Sequence, residues 1–113
     1  MGRPKAELSV LVVSDRTIRR LNRTYRGHDT PTDVLAFPQG HHPYPGSQEL
    51  LGDVVISVET ALKQARAEGH PLRTELATLL IHGILHLIGY DDTTPSARRR
   101  MWRRQNALLR QFR

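Results

Sequence analysis

His82 and His86 stand four residues apart in IHGILHLIGYDD, the stretch from Ile81 to Asp92. On a helix that spacing puts both imidazoles on one face, one above the other, where they can reach a single metal ion together. Glu75 and Thr78 fall on nearly the same side, so a polar stripe runs along an otherwise apolar segment. The neighbours Leu79, Leu80, Ile84, Leu85 and Ile88 cover the remaining faces and imply burial. A buried imidazole needs a partner for each ring nitrogen. A metal supplies one; in a plain core, a backbone group or a carboxylate does the same. Gly89 can end the helix just after His86 and let the chain turn back, presenting Asp91 or Asp92 as a third ligand. Two histidines and a carboxylate leave coordination positions open, as a catalytic ion requires. The chain contains no Cys, so any ion must be held by His and carboxylate. Gly83 sets a limit on the chemistry. Helical zinc proteases carry their general-base Glu directly after the first His, and a glycine there demotes peptide hydrolysis.

The elements that must position these residues follow from periodicity and caps. Glu7 to Val13 alternates Leu8, Val10 and Val12 against their neighbours, the pattern of a half-buried strand. Ser14 sits as an N-cap before a helix with Ile18, Leu21 and Tyr25 on one face, closed by Gly27. Thr32 to Pro38 reads as a second strand, QGHHPYPGSQ as a loop, and Leu50 to Val58 as a third strand. A helix follows over about 59–68, closed by Gly69. Pro71 is placed in the first turn of the next helix, which carries both histidines. Thr94 and Pro95 open a last helix through Phe112, in which Met101, Trp102, Leu108 and Leu109 read as core-facing. The order β-α-β-β-α-α-α implies an α+β (α/β-like) fold, a small mixed sheet packed with helices.

With 113 residues the chain is expected to form one domain. No run of eighteen apolar residues is present to cross a membrane, and the first residues lack a secretory h-region. The absence of Cys suits a reducing cytoplasm. The net charge is +6, and from Arg98 to Arg113 there are seven arginines and no acidic residue. Such a tail points to a polyanion, nucleic acid above all, or serves as a solvated cationic face.

Three blocks, in order, carry a resemblance: LNRTYRGHDTPTDVLAFP (Leu21 to Pro38), LGDVVIS (Leu51 to Ser57) and HGILHLIGYD (His82 to Asp91). Together they closely resemble the YbeY family of bacterial metal-dependent endoribonucleases and rRNA maturation factors. The resemblance implies a metal site on one helix and the turn after it, with His82 and His86 as its first two ligands. The family's third histidine falls on Asp92, where this chain departs. Carboxylate is an accepted zinc ligand, so Asp92 is the expected third ligand, with Asp91, His41 and His42 as alternatives. One Zn2+ is implied; a carboxylate also suits Mn2+ or another hard divalent ion. The YRG block maps the family's catalytic or RNA-contacting arginine onto Arg26. A guanidinium gives phosphate a two-pronged fork, although an arginine closing a helix C-terminus needs no such role. The family usually carries a further strand and helix before the ELSVLVV segment, and a single domain lacking them is expected here.

The function expected from the resemblance is a single-strand-specific endoribonuclease of rRNA maturation, at the small-subunit rRNA 3′ end, and of ribosome quality control. Its partners would be precursor rRNA and the small subunit, gripped by Arg26, Arg98, Arg99 and Arg103. The alternative is a non-catalytic rRNA-binding assembly factor with a structural or degraded metal site. His28, His41, His42 and His70 read as solvent-facing, Tyr90 as packing under the metal turn. Oligomeric state is not legible.

Overall fold

Val54, Val55 and Ile56 are consecutive β-branched residues, and a strand can bury such a run only when both its faces are covered. The computed structural model, which describes residues 6–38 and 49–112, shows how. Its elements are β1 (Ala6–Val13), α1 (Asp15–Arg26), β2 (Val34–Pro38), β3 (Glu49–Ser57), α2 (Val58–Glu68), α3 (Leu72–Leu87) and α4 (Pro95–Phe112). β3 is the central strand, parallel to β1 on one side and antiparallel to β2 on the other. Val54 and Ile56 pack with Ala61 of α2 and Leu79 of α3. Val55 points the opposite way and packs with Ile18 of α1 and Leu35 of β2. The fold is thus a three-stranded mixed sheet between α1 and the α2–α3 pair, with α4 packed on α3. The expected element order and α+β class are found.

Caps hold these elements in place; those at Ser14 and Thr94 match the expected ones, whereas Ser57, expected inside a strand running to Val58, is the N-cap of a helix that begins at Val58. Ser14 Oγ accepts from Thr17 N–H at the start of α1, and Gly27 closes it in the left-handed region. Ser57 Oγ accepts from Thr60 N–H at the start of α2, and Thr94 Oγ1 from Ala97 N–H at the start of α4. One carboxylate ties two of these ends together. Asp15 accepts hydrogen bonds from the Ser57 hydroxyl and from Thr60 Oγ1 at 2.6 Å, while its own N–H donates to Glu59 Oε1 at 2.8 Å. The Ser57 and Thr60 hydroxyls hold the Asp15 carboxyl below its usual range.

Several expectations are corrected. Pro71 is the N-cap of α3, extended at ψ 153°, and not part of its first turn. Val10, Leu11 and Val12 are 43%, 50% and 55% exposed, so the middle of β1 is open on both faces, while Leu8 and Val13 pack against the two core clusters. Tyr25 is exposed and meets Phe37 edge-on. His70 is not solvent-facing: its Nε2 lies 2.7 Å from the buried Glu75 carboxylate. Trp102 is 64% exposed while Met101 is 2% exposed. Adjacent helical residues point about 100° apart, and the seam against α3 takes Met101, Gln105 and Leu109 at intervals of four. Trp102 is turned out of it. His41 and His42 lie outside the described residues.

α3 approaches β3 closely at Gly83. A Cβ there would lie 2.7 Å from Val54 Cγ1 and 3.0 Å from Cγ2. Gly83→Ala is therefore expected to destabilise the protein by about 1–2 kcal/mol in chemical denaturation. Overpacking costs about 1–3 kcal/mol, and helix propensity returns up to about 1 kcal/mol. In a double-mutant cycle Val54→Ala should relieve this cost, giving a coupling of at least about 0.5 kcal/mol; strict additivity would show that the two side chains do not compete for the space.

Candidate metal centre

α3 brings His82 and His86 together at its C-terminal end. Their ring centroids are 4.7 Å apart at an interplanar angle of 73°, and both side chains are half-buried. The ring nitrogens of His82 are distinguished by α4. Nδ1 lies 2.9 Å from Gln105 Oε1; the amide oxygen accepts the Nδ1 proton, which puts the lone pair on Nε2. A partner on one nitrogen that aims the other is the usual support of a metal-binding histidine. His86 is kept neutral by its surroundings. Burial lowers its pKa most, the neighbouring His82 lowers it further, and Asp92, the Tyr90 backbone and Asp91 pull weakly the other way. A pair of imidazoles at the partly negative end of a helix suits a cation. The two imidazoles offer two donors to a divalent ion; among the described residues neither Asp91 nor Asp92 joins them in a group of three ligand atoms within 4.8 Å of one another.

Beyond His86 the chain reverses. Ile88, Gly89 and Tyr90 N–H groups donate back to Ile84, His86 and Leu85 carbonyls, and Gly89 takes φ 108°, a conformation that L side chains rarely adopt. The two aspartates that follow have different surroundings. Asp91 Oδ1 accepts from Thr93 N–H at 3.1 Å and Thr93 Oγ1 at 2.8 Å, bracing the turn. Those bonds, with Arg100 nearby, hold its carboxyl below the usual range. Asp91 lines the cleft, yet Asp92, exposed on the turn, has the stronger pull on His86.

The opposite wall comes from α1, β2 and the loop between them. A cleft of about 690 Å³ separates His82, His86 and Tyr90 from Asn22, Arg26 and Asp33. Arg26 is anchored: its Nη2 donates to the Ala36 carbonyl, and its guanidinium lies 5.3 Å from the centre of the Phe37 ring. The loop is held by Asn22 Nδ2 donating to Thr30 O at 2.9 Å and by Arg19 pairing with Asp29. Asp33 Oδ1 accepts from Val34 N–H and Oδ2 from Gln64, so Asp33 organises the wall. Arg26, His82 and His86 thus share one cleft. Arg98, Arg99 and Arg103 lie on α4, exposed and outside its lining.

Gln105, Asn22 and His28 were not singled out as site residues from the sequence, yet Gln105 touches His82 and the other two line the cleft. The available signal for Gln105 was a polar residue midway between Met101 and Leu109, on the buried seam. Among the described residues, one group gathers three ligand atoms within 4.8 Å of one another: Glu68, His70 and Glu75. It sits at the other end of α3. There Nε2 of His70 faces Glu75 at 2.7 Å and Nδ1 faces Glu68 at 4.0 Å. The ring is hydrogen-bonded to Glu75, with Glu68 at longer range, and the three ligand atoms lie close enough together to share an ion.

The lowered pKa of His86 gives a pH test. A histidine depressed in the folded state contributes stability that is fully present above the ordinary 6.5 and shrinks as pH falls below it, toward the lowered value. Metal-free protein followed by NMR should show His86 titrating below 6.5, and stability should decline over the same window. A midpoint at or above 6.5 would contradict the burial described here.

The comparisons with known proteins agree with this geometry. The family model described as Endoribonuclease YbeY matches residues 2–113. Endoribonuclease YbeY of Anaeromyxobacter sp. (strain Fw109-5) is 52% identical over 110 residues, covering 97% of this chain and 56% of that protein. The Moorella thermoacetica protein of the same name is 48% identical, over 93% of this chain and 72% of the relative. The chain thus spans little more than half the length of some of the relatives it matches. Among solved structures, the solution structure of TM1509 from Thermotoga maritima superposes with a TM-score of 0.62 at 32% identity, covering 90% of this chain and 65% of the other. With its histidine-bearing helix, the turn after it and its arginine wall all inside the matched region, this chain belongs to the endoribonuclease YbeY family.

Proposed function

We propose that the chain is a metal-dependent endoribonuclease that cuts single-stranded RNA, acting on the small-subunit rRNA 3′ end and in ribosome quality control. The observation that carries the reading is the shared cleft: two adjacent histidines on one wall, His82 held by Gln105, and an anchored arginine on the other. The ligands in this reading are His82, His86 and Asp92, holding one Zn2+ or, given the carboxylate, Mn2+. Such an ion would supply a Lewis acid for a phosphoryl oxygen or an acidified water. Arg26 holds the scissile phosphate and stabilises charge developing on its oxygens. Asp91 braces the turn that carries Asp92, Gln105 fixes the His82 tautomer, and the half-buried Tyr90 narrows the cleft. The arginines of α4, Arg98, Arg99 and Arg103 among them, supply the long-range attraction for a polyanion. No helix of the described residues is long and apolar enough to cross a membrane.

Three variants test the reading on a single-stranded rRNA 3′-end precursor. His86→Ala should abolish metal-stimulated cleavage while RNA affinity stays within about threefold, since the imidazole holds no phosphate. Arg26→Ala should slow cleavage on the order of 100-fold with the metal still bound. Gln105→Met should weaken zinc affinity about 10- to 100-fold, measured by competition with a chelating dye. Equal residual cleavage in wild type and His86→Ala would instead leave RNA binding without catalysis, the assembly-factor alternative.

A further inference from the structure

Trp102 is the only tryptophan in the chain, and it is turned outward, 64% exposed, on the most basic helix. Burying Met101, Gln105 and Leu109 against α3 fixes the rotation of α4 and leaves position 102 on its flank. The residues around the indole are cationic. On one side it shares a shallow recess with Pro95, Arg98 and Arg99; on the other it meets Arg103, Asn106 and Arg110. All four of these arginines are exposed. No acidic residue follows Asp92 in the chain, so no carboxylate on α4 offsets their charge. Among the described residues the cation held over an aromatic ring is Arg26 over Phe37; no guanidinium covers the Trp102 face.

We propose that Trp102 is a stacking platform for a base of single-stranded RNA, with Arg98, Arg99, Arg103 and Arg110 holding the phosphates on either side of it. This rests on the RNA reading given above and adds a specific subsite to it. An indole offers every base a π-face, and arginines spaced along a helix follow a backbone without reading sequence. Charge complementarity chooses the occupant. A flank carrying four arginines and no carboxylate repels basic partners and attracts a polyanion, and the exposed ring adds what a purely ionic contact lacks, a preference for a polyanion that carries bases. The platform lies one helical turn before Gln105, which touches His82. A strand stacked on it is therefore held close to the cleft.

The sole tryptophan makes its own probe. In the full-length protein, a 12-nucleotide oligoadenylate should quench Trp102 fluorescence saturably. Inorganic polyphosphate, which has charge but no bases, should displace the RNA without quenching. Trp102→Ala should weaken oligoadenylate binding roughly tenfold and leave polyphosphate binding within about twofold, with the slope against log salt unchanged because no phosphate contact is lost. Trp102→Phe should recover most of the affinity. Substituting alanine on an exposed helical flank favours the helix, so circular dichroism should be unaltered. If RNA binds Trp102→Ala as tightly as wild type and leaves wild-type fluorescence unchanged, the platform is wrong while the RNA reading stands. If the wild-type protein binds no RNA, both fall; a blue shift with anionic lipid vesicles but not with RNA would assign the flank to a membrane surface instead.

Discussion

The close approach of α3 to the central strand at Gly83 is the contact on which the site depends. Val54 is fully buried, and its methyl groups occupy the space that a side chain at position 83 would need. A helix lying this near the sheet cannot rotate or slide without a clash on one side and a gap on the other. His82, beside the contact, and His86, one turn on, are consequently fixed in height and direction. The same contact explains why the protease-type glutamate is missing after the first histidine. At 83 the backbone faces the sheet, so any side chain there would be driven into Val54 and not toward an ion. The glycine is a packing requirement with a chemical consequence.

The second wall is built by a different kind of interaction. α3 is placed by apolar burial, whereas the α1–β2 loop is placed by polar bonds: Asn22 to Thr30, Arg19 to Asp29, and Asp33 to Val34 and Gln64. Several of these groups are exposed, and exposed pairs contribute little to stability individually. Their role here is to specify one loop conformation. Arg26 benefits directly. With one nitrogen on the Ala36 carbonyl and the plane against Phe37, much of its rotamer freedom is already lost, and its remaining N–H groups are free of that cost when they meet an anion.

Local chemistry explains what could be read from the sequence. Ser14, Thr94, Gly27 and Gly69 mark helix ends by their own hydrogen bonds or by tolerating positive φ, so element order followed from residue type. The i, i+4 pairing of His82 and His86 was legible for the same reason. Helix rotation and sheet order were not. Met101 and Trp102 are equally apolar, and only the register against α3 decides that one is 2% and the other 64% exposed. The alternation of Leu8, Val10 and Val12 marked a strand correctly but not its position at an edge, where its middle is open on both faces. His70 read as a solvent-facing residue near a helix end because its partner, Glu75, lies across a turn and inside the fold.

Asp92, proposed as the third ligand, would have an electrostatic consequence for the site. On the proposed ligand set, a carboxylate halves the formal charge of a divalent ion, and the C-terminal end of α3 adds further negative potential. Both steady the ion, and both weaken its pull on an incoming phosphate. Positive charge must then come from side chains that do not touch the metal. Arg26 supplies it from across the cleft. Arg100 supplies it from α4, close enough to Asp91 to lower that carboxyl's pKa. On the proposed reading these guanidiniums would add attraction for a phosphate without being ligands of the ion: Arg26 is anchored on the Ala36 carbonyl and Arg100 lies near Asp91. If the proposed ligand set holds, charge stabilisation shifts from the metal toward arginine, and the arginine-rich α4 would take part in the site's electrostatics as well as in the proposed contact with RNA.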